Sequence, residues 1–207
     1  MLKVNSSVVE QPPALVIFDC DGVLVDTEGP SNRLLVDILK RHGLDLDAHT
    51  VARENTGTTM VDVQAWAEGL LGHALPSDFI DTDYTETFEM FREGIDAIPG
   101  VSDAIDIVQR AGLATCVASS GALEKMHLTL GMTGLHDRFR DRLFSAKQVA
   151  RGKPHPDVFL FAASEMGFEP SDIVVVEDSV PGVTGAVAAG MRVLAYAAQG
   201  SSLCCVG

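Results

Sequence analysis

The feature that most constrains this chain is a short apolar run that ends in charge: Leu15-Val-Ile-Phe18, then Asp19-Cys-Asp21-Gly22. An unbroken apolar run of that length suits a parallel strand buried on both faces. Asp19 and Asp21 are two apart, so they point the same way while the chain stays extended. Gly22 then lets the backbone turn sharply. Open α/β sheets bind ligands at the carboxyl ends of their strands. Two carboxylates placed there repel each other unless a cation joins them. Asp is also a covalent nucleophile toward phosphoryl groups. Taken alone, Asp-x-Asp-Gly is most often only a turn. A calcium loop is excluded, because counting from Asp19 puts Val23 and Leu24 where an oxygen ligand and a glycine are required.

Beyond Asp26 the pattern changes from strand to helix. Pro30 suits a first helical turn, Leu34, Leu35, Ile38 and Leu39 follow at helical spacing, and Gly43 is placed to stop the helix. A short helix is expected over residues 47–54, then a polar loop through residue 59. Thr59 with Asp62 resembles a capping box for a helix carrying Val63, Trp66 and Leu70. Residues 77–92 read as another helix, with Phe79, Ile80, Phe88, Met90 and Phe91 as apolar surface; Trp66, Phe79 and Phe88 read as its core. Residues 27–98 therefore form an all-helical unit, ended by Pro99-Gly100.

After residue 100 helix and strand alternate. Strands are expected at 113–118, 143–144, 173–176 and 192–196. Helices are expected at 101–111, 123–130, from Pro154 and Pro156 to 166, and at 183–189. Such alternation implies an α/β fold with a parallel sheet covered on both faces.

Composition narrows the function. The chain has 207 residues, 46% of them hydrophobic, and a formal net charge of −14. That is enough for one filled core plus a smaller unit. The acidic surface argues against nucleic acid and anionic membranes as partners. No apolar run approaches a membrane span, and residues 1–13 read as a polar, disordered lead without a signal-peptide core. Cys20 and Cys116 read as buried thiols, and Cys204 and Cys205 make no metal pattern. No disulfide framework is present, which fits a reducing cytoplasm. His127 and His136 show no partners that suggest a site, and His155 reads as an exposed loop residue.

Chemistry converges on one sheet edge. Asp19 and Asp21 end the first strand, Ser119 the second, and Glu177 and Asp178 the fourth. Lys153 precedes a helix opened by prolines. Carboxylates around one oxygen-loving site suit Mg²⁺, while a hydroxyl and an ammonium orient and neutralise phosphate oxygens.

Four segments quoted in order carry a resemblance. They are Phe18-Asp-Cys-Asp-Gly-Val-Leu-Val-Asp26, Val117-Ala-Ser119-Ser120-Gly121, Gly152-Lys153-Pro-His-Pro-Asp157, and Val176-Glu-Asp178-Ser-Val-Pro-Gly182 with Ala189-Gly-Met191. Together they resemble the haloacid dehalogenase superfamily, in the group with a helical cap inserted after the first strand. The resemblance implies a Rossmann-like parallel-sheet core, residues 1–26 and 99–207, and an all-helical cap, residues 27–98. It implies Asp19 as nucleophile and Asp21 as general acid and then base. Ser119, Ser120 and Lys153 would hold the phosphoryl group. Asp19, the Asp21 carbonyl, Glu177 and Asp178 would hold Mg²⁺.

The cap would set specificity through the loop at residues 56–59, with Gly57 and Thr58 as substrate contacts. Sugar phosphomutases of this family carry an arginine just after that glycine; here Thr58, Thr59 and Met60 follow. Phosphonoacetaldehyde hydrolases use a cap lysine, and Lys40 is the only lysine among residues 27–98. Haloacid dehalogenases lack the second carboxylate, which Asp21 supplies here. The expectation is a monomeric, cytoplasmic Mg²⁺-dependent phosphatase of a small phosphorylated metabolite, most simply a sugar phosphate. A phosphomutase, with Arg53 as distal clamp, and a catalytically weak binding protein are the alternatives. The family's further strand and closing helix are not seen after Tyr196, so a shortened C-terminus with an exposed sheet edge is expected.

Overall fold

The first strand, β1 (Leu15–Phe18), is followed by four helices: α1 (Glu28–Arg41), α2 (Ala48–Asn55), α3 (Met60–Leu71) and α4 (Phe79–Glu93). The computed structural model describes residues 12–55 and 60–196. The chain continues as α5 (Val101–Arg110), β2 (Ala114–Ser119), α6 (Leu123–Met132), α7 (His136–Phe139) and β3 (Leu143–Ser145). It closes with α8 (Asp157–Met166), β4 (Ile173–Glu177), α9 (Val180–Ala188) and β5 (Arg192–Ala195).

The five strands form one parallel sheet in the order β3-β2-β1-β4-β5. The chain winds outward from β1 through β2 to β3, then returns to lay β4 against the other side of β1. That reversal puts the crevice between β1 and β4 at the ligand-binding position of open α/β sheets. Phe18 pairs with Val117 on one side and Val176 on the other, and the Asp19 N–H donates to the Val176 carbonyl at 2.9 Å. Asp19 thus leaves the central strand between the ends of its two neighbours.

Strand alternation divides the core. Leu15, Ile17, Cys116, Ala118, Ile173 and Val175 face α8 and α9, where Val158, Phe159, Ala162 and Ala186 meet them. Val16, Phe18 and Val117 face the other way, against Ile105, Met126, Leu130 and Phe139. Side chains i and i+2 share a face, so the apolar run serves both layers at once. Cys20 and Cys116 are buried free thiols, and burial pushes the Cys116 thiol up to about 12.

Helices α1–α4 gather around a core of their own, built from Leu35, Ile38, Leu39, Val51, Val63, Ala67, Leu75 and Phe79. Trp66 packs at its margin. Phe88 does not join it and lines a cavity instead.

Three local differences from the sequence expectations have simple causes. The helix expected from Pro154 begins at Asp157, because a residue before proline is pushed away from helical geometry and His155 precedes Pro156. α9 starts three residues before Val183: Ser179 caps it by accepting the Gly182 N–H at 3.1 Å, with Pro181 in the first turn. The short α7 was not anticipated; one turn gives too little periodicity to read. The expected loop at residues 56–59 and the C-terminal expectation beyond residue 196 lie outside the described residues.

Candidate active site

Lys153 is the hub. Its side chain is 4% exposed, and its ammonium donates to Asp19 Oδ1 at 2.6 Å, Glu177 Oε1 at 2.7 Å and the Ala118 carbonyl at 3.1 Å. It also lies 5.1 Å from the centre of the Phe159 ring. All three donor positions of the ammonium are used. Glu177 is fully buried, and its other oxygen accepts from the Ser179 N–H at 2.7 Å and the Ser179 hydroxyl at 2.9 Å. Glu177 is therefore fixed between strand end, helix cap and lysine.

Two glycines make the crowding possible. Gly22 has φ +80°, and a Cβ there would lie 1.9 Å from Asp178 Oδ2. A Cβ on Gly182 would lie 1.7 Å from Glu177 Oε1. The turn after Asp21 and the start of α9 can close over the carboxylates only because both positions lack side chains.

Asp21 faces another set of donors. Its Oδ1 accepts from the Thr27 hydroxyl at 2.7 Å and pairs with the Lys125 ammonium at 2.9 Å. Ser119 is buried at the end of β2, and its hydroxyl accepts the Gly121 N–H at 3.0 Å. The Ser145 hydroxyl holds the same turn by donating to the Gly121 carbonyl at 2.6 Å. Ser120 is exposed and makes no side-chain hydrogen bond to any described residue. Gly57 and Thr58 lie outside the described residues.

The electrostatics follow from the packing. Burial raises the Asp19 carboxyl to about 7, with Glu177 and Asp21 adding to the rise and Lys153 opposing it. Burial likewise lifts Asp178 to about 8, helped by Asp19, Glu177 and Glu28. Burial also pushes Asp21 up, but the charge and hydrogen bond of Lys125, with Thr27, outweigh it and leave the group below its ordinary value. One ammonium cannot neutralise Asp19, Glu177 and Asp178 together.

Ligand oxygens of those three residues lie within 4.8 Å of one another. An all-oxygen donor set with surplus negative charge fits a hard divalent cation such as Mg²⁺. All three stand in the sequence motifs at the ends of β1 and β4.

Other functional side chains went unread. Lys125 stands in the first turn of α6, where a cation opposes the helix dipole; that misplacement was the available signal. Asp83 is 8% exposed, four residues after Phe79 and eight before Phe91 on the buried side of α4. A carboxylate on an apolar face was its signal. Thr27 carried none, and the signal of Ser179 was its place as a serine cap two residues before Pro181. Arg53, the clamp expected of a mutase, is paired at the surface with Glu54 at 2.7 Å, and the helix-end cations Arg41 and Lys40 pair with Glu86 at 2.5 Å and Asp45 at 3.0 Å. Away from the site, His127 and His136 are not partnerless; they hydrogen-bond each other at 2.9 Å.

Comparison with known proteins gives a consistent set. The family described as haloacid dehalogenase-like hydrolase matches residues 13–190. Hexitol phosphatase B of Escherichia coli is 30% identical over 178 residues, covering 85% of this chain and 80% of that protein. The 6-phosphogluconate phosphatase of E. coli is 28% identical over 187 residues, covering 89% and 82%. A HAD family hydrolase from Deinococcus radiodurans, solved with bound phosphate and sodium, superposes with a TM-score of 0.75 at 33% identity, covering 88% of this chain and 80% of that one. CbbY from Rhodobacter sphaeroides, solved with phosphate, gives a TM-score of 0.71 at 26% identity, covering 87% and 84%.

Proposed function

The chain belongs to the haloacid dehalogenase-like hydrolases, and on that premise we propose that it is a Mg²⁺-dependent phosphatase of a small sugar phosphate, working through an aspartyl-phosphate on Asp19. The observation that carries this reading is the arrangement of Lys153 between Asp19 and Glu177, with Asp178 beside them and Asp21 held by Lys125 and Thr27 just beyond the same strand end. Relatives acting on a hexitol phosphate and on 6-phosphogluconate, by their names, support a sugar-sized substrate.

The chain's own residues divide the work. A carboxylate oxygen of Asp19 attacks phosphorus, and the ester P–O bond breaks. Asp21 gives its proton to the departing alkoxide, then takes one from the water that attacks the aspartyl-phosphate. Inorganic phosphate leaves and Asp19 is regenerated. Lys153 and the Ser119 turn orient the phosphoryl oxygens. Asp19, Asp178 and Glu177 would hold the Mg²⁺, which offsets repulsion between carboxylate and phosphate. The Asp21 carboxylate as found is ionised, the state its base step needs. Its acid step needs a proton on the carboxyl, which Oδ2 can carry while Oδ1 stays with Lys125 and Thr27.

A mutase would need cap cations for a distal phosphate. Arg53, the one candidate clamp, is instead tied to Glu54, and the sequence Thr56-Gly57-Thr58-Thr59 beside it carries no charge, which favours water as acceptor. The test is single turnover of a hexose or hexitol phosphate with Mg²⁺. Release of inorganic phosphate, independent of added sugar bisphosphate, is expected. Isomerisation that needs the bisphosphate, with negligible free phosphate, would assign a mutase. Neither product, with ligand still bound, would leave only a binding protein.

A further inference from the structure

A cavity of about 220 Å³ opens between α1, α3, α4 and the first turn of α6. It is smaller than the ~300 Å³ at which pockets for drug-sized ligands begin, so its occupant is small. Lys125 belongs to its wall and also touches Asp21. The cavity therefore starts where the leaving group would emerge from the phosphoryl site.

Its polar lining is uneven. The Lys125 ammonium is a donor in its wall, held on Asp21 and 5.7 Å from the centre of the Phe91 ring. On α4, Asp83 lines the cavity, more than nine-tenths buried, and no described residue donates a hydrogen bond to it. Burial, with Glu86 adding and Lys125 opposing, raises it to about 6, which still leaves it ionised at neutral pH. A buried carboxylate without donors costs stability unless something supplies them. Ser31, Asn32 and Thr87 offer further polar contacts, with Leu35, Val63 and Phe88 between them.

The chemistry that satisfies Asp83 is a pair of hydroxyls. A carboxylate has two oxygens and accepts from neighbouring O–H groups at once. A carboxylate or second phosphate set beside Asp83 has no proton of its own to give and meets like charge. We propose that this cavity holds the alcohol half of the substrate, with Asp83 and Lys125 selecting a neutral, vicinally hydroxylated chain over one that bears a second anionic group. The assignment rests on the phosphatase reading, and it adds two specificity residues and a substrate class to it.

The experiment uses the full chain carrying Asp19→Asn, so that bound phosphate esters persist. Dissociation constants are measured with Mg²⁺ for glucitol 6-phosphate, gluconate 6-phosphate and n-hexyl phosphate. Glucitol 6-phosphate should bind at least ~10-fold more tightly than the other two, the usual scale for hydrogen bonds to a charged group. Adding Asp83→Asn should weaken glucitol 6-phosphate by a similar factor and leave n-hexyl phosphate within about twofold, since only a ligand with hydroxyls loses partners. Equal or tighter binding of gluconate 6-phosphate would overturn the proposal, and so would an equal loss on n-hexyl phosphate. If Asp83→Asn fails to fold, the ranking of the three ligands on the protein with Asp83 intact decides alone. The wild-type protein is assayed in parallel for phosphate release. Preferential binding of glucitol 6-phosphate without turnover would refute the phosphatase reading and leave the cavity assigned; absence of binding would refute the cavity assignment.

Discussion

Replacing Asp83 with Asn should make the protein more stable at pH 8, and by an amount that vanishes toward pH 4. Burial holds the Asp83 carboxyl near 6 in the folded chain, against 3.8 for an ordinary aspartate. Between those values the folded state binds more protons than the unfolded state, so stability falls as pH rises through the window and stays lower above it. The gap of roughly 2 units corresponds to at most about 3 kcal/mol at 1.36 kcal/mol per unit. Water in the cavity and the Lys125 charge reduce that figure, and a gain of about 1–3 kcal/mol is the working range. Asparagine keeps the shape and is neutral at every pH, so it removes the part of the cost that comes from the charge. For a chain of this size each kcal/mol moves Tm by about 2–4 °C. Calorimetric scans of wild type and Asp83→Asn from pH 4 to pH 8 should therefore diverge by several degrees at the upper end and coincide at the lower. Glu86 and Lys125 are the other charges facing Asp83, and the pairing of Glu86 with Arg41 is common to both proteins. A variant that melts below wild type at pH 8, or a difference that does not change with pH, would refute the reasoning. Residues that cost stability and persist are commonly those that function requires.

The other expectations concern the phosphoryl site. Asp19→Asn should abolish phosphate release while far-UV circular dichroism stays native, because an amide cannot attack phosphorus; turnover at the wild-type rate would refute the covalent step. Asp21→Asn should slow kcat by ~10²–10⁴-fold by removing the proton shuttle, measured under saturating substrate. Gly182→Ala should cost about 1–3 kcal/mol in a denaturant titration, since its Cβ would lie 1.7 Å from Glu177 Oε1 and the carboxylate or α9 must shift. Chelation with EDTA should remove activity reversibly, and Mg²⁺ at 100 times its dissociation constant should stabilise the fold by ~2.7 kcal/mol, seen as a rise in Tm that Asp178→Ala abolishes.

The sheet and the phosphoryl site were legible because their signals are local. Leu15-Val-Ile-Phe18 and Ile173-Val-Val-Val176 are continuous apolar runs, and each ends in the carboxylates that matter. A strand of that kind has one place in an α/β sheet, and its final residue then has one possible edge. Lys153 was legible because the prolines after it mark a loop. Lys125 and Asp83 were not read, because each looks like an ordinary polar residue on an amphipathic helix. Their meaning comes from two helices, α4 and α6, packing against each other far apart in sequence. The pairing of His127 with His136 was hidden for the same reason: it depends on how α7 folds back on α6. The start of α9 was misplaced because a serine cap and a proline in its first turn were outweighed by the apolar pattern beginning at Val183.

The order β3-β2-β1-β4-β5 has a consequence for how this molecule fails under stress. Asp19, Ser119 and Glu177 end or directly follow the three interior strands, each hydrogen-bonded on both sides, whereas among the described residues β3 and β5 have one neighbour apiece. Leu194 on β5 is already 62% exposed. Strands held on one side open first in native-state fluctuations, and amides there exchange with solvent long before those of the interior. β5 meets the chemistry at its last rung, where Glu177 pairs with Ala195 and its carbonyl accepts the Tyr196 N–H at 2.7 Å, while the Glu177 side chain is held separately by Lys153 and Ser179. Opening of β3 reaches the site where Ser145 pairs with Ser119 and its hydroxyl donates to the Gly121 carbonyl. Catalysis should thus survive warming or mild denaturant well past the first loss of protected amides, and should fall only with the cooperative opening of β1. Enzymatic activity in this protein is a late-reporting gauge of unfolding, and amide exchange on β5 an early one.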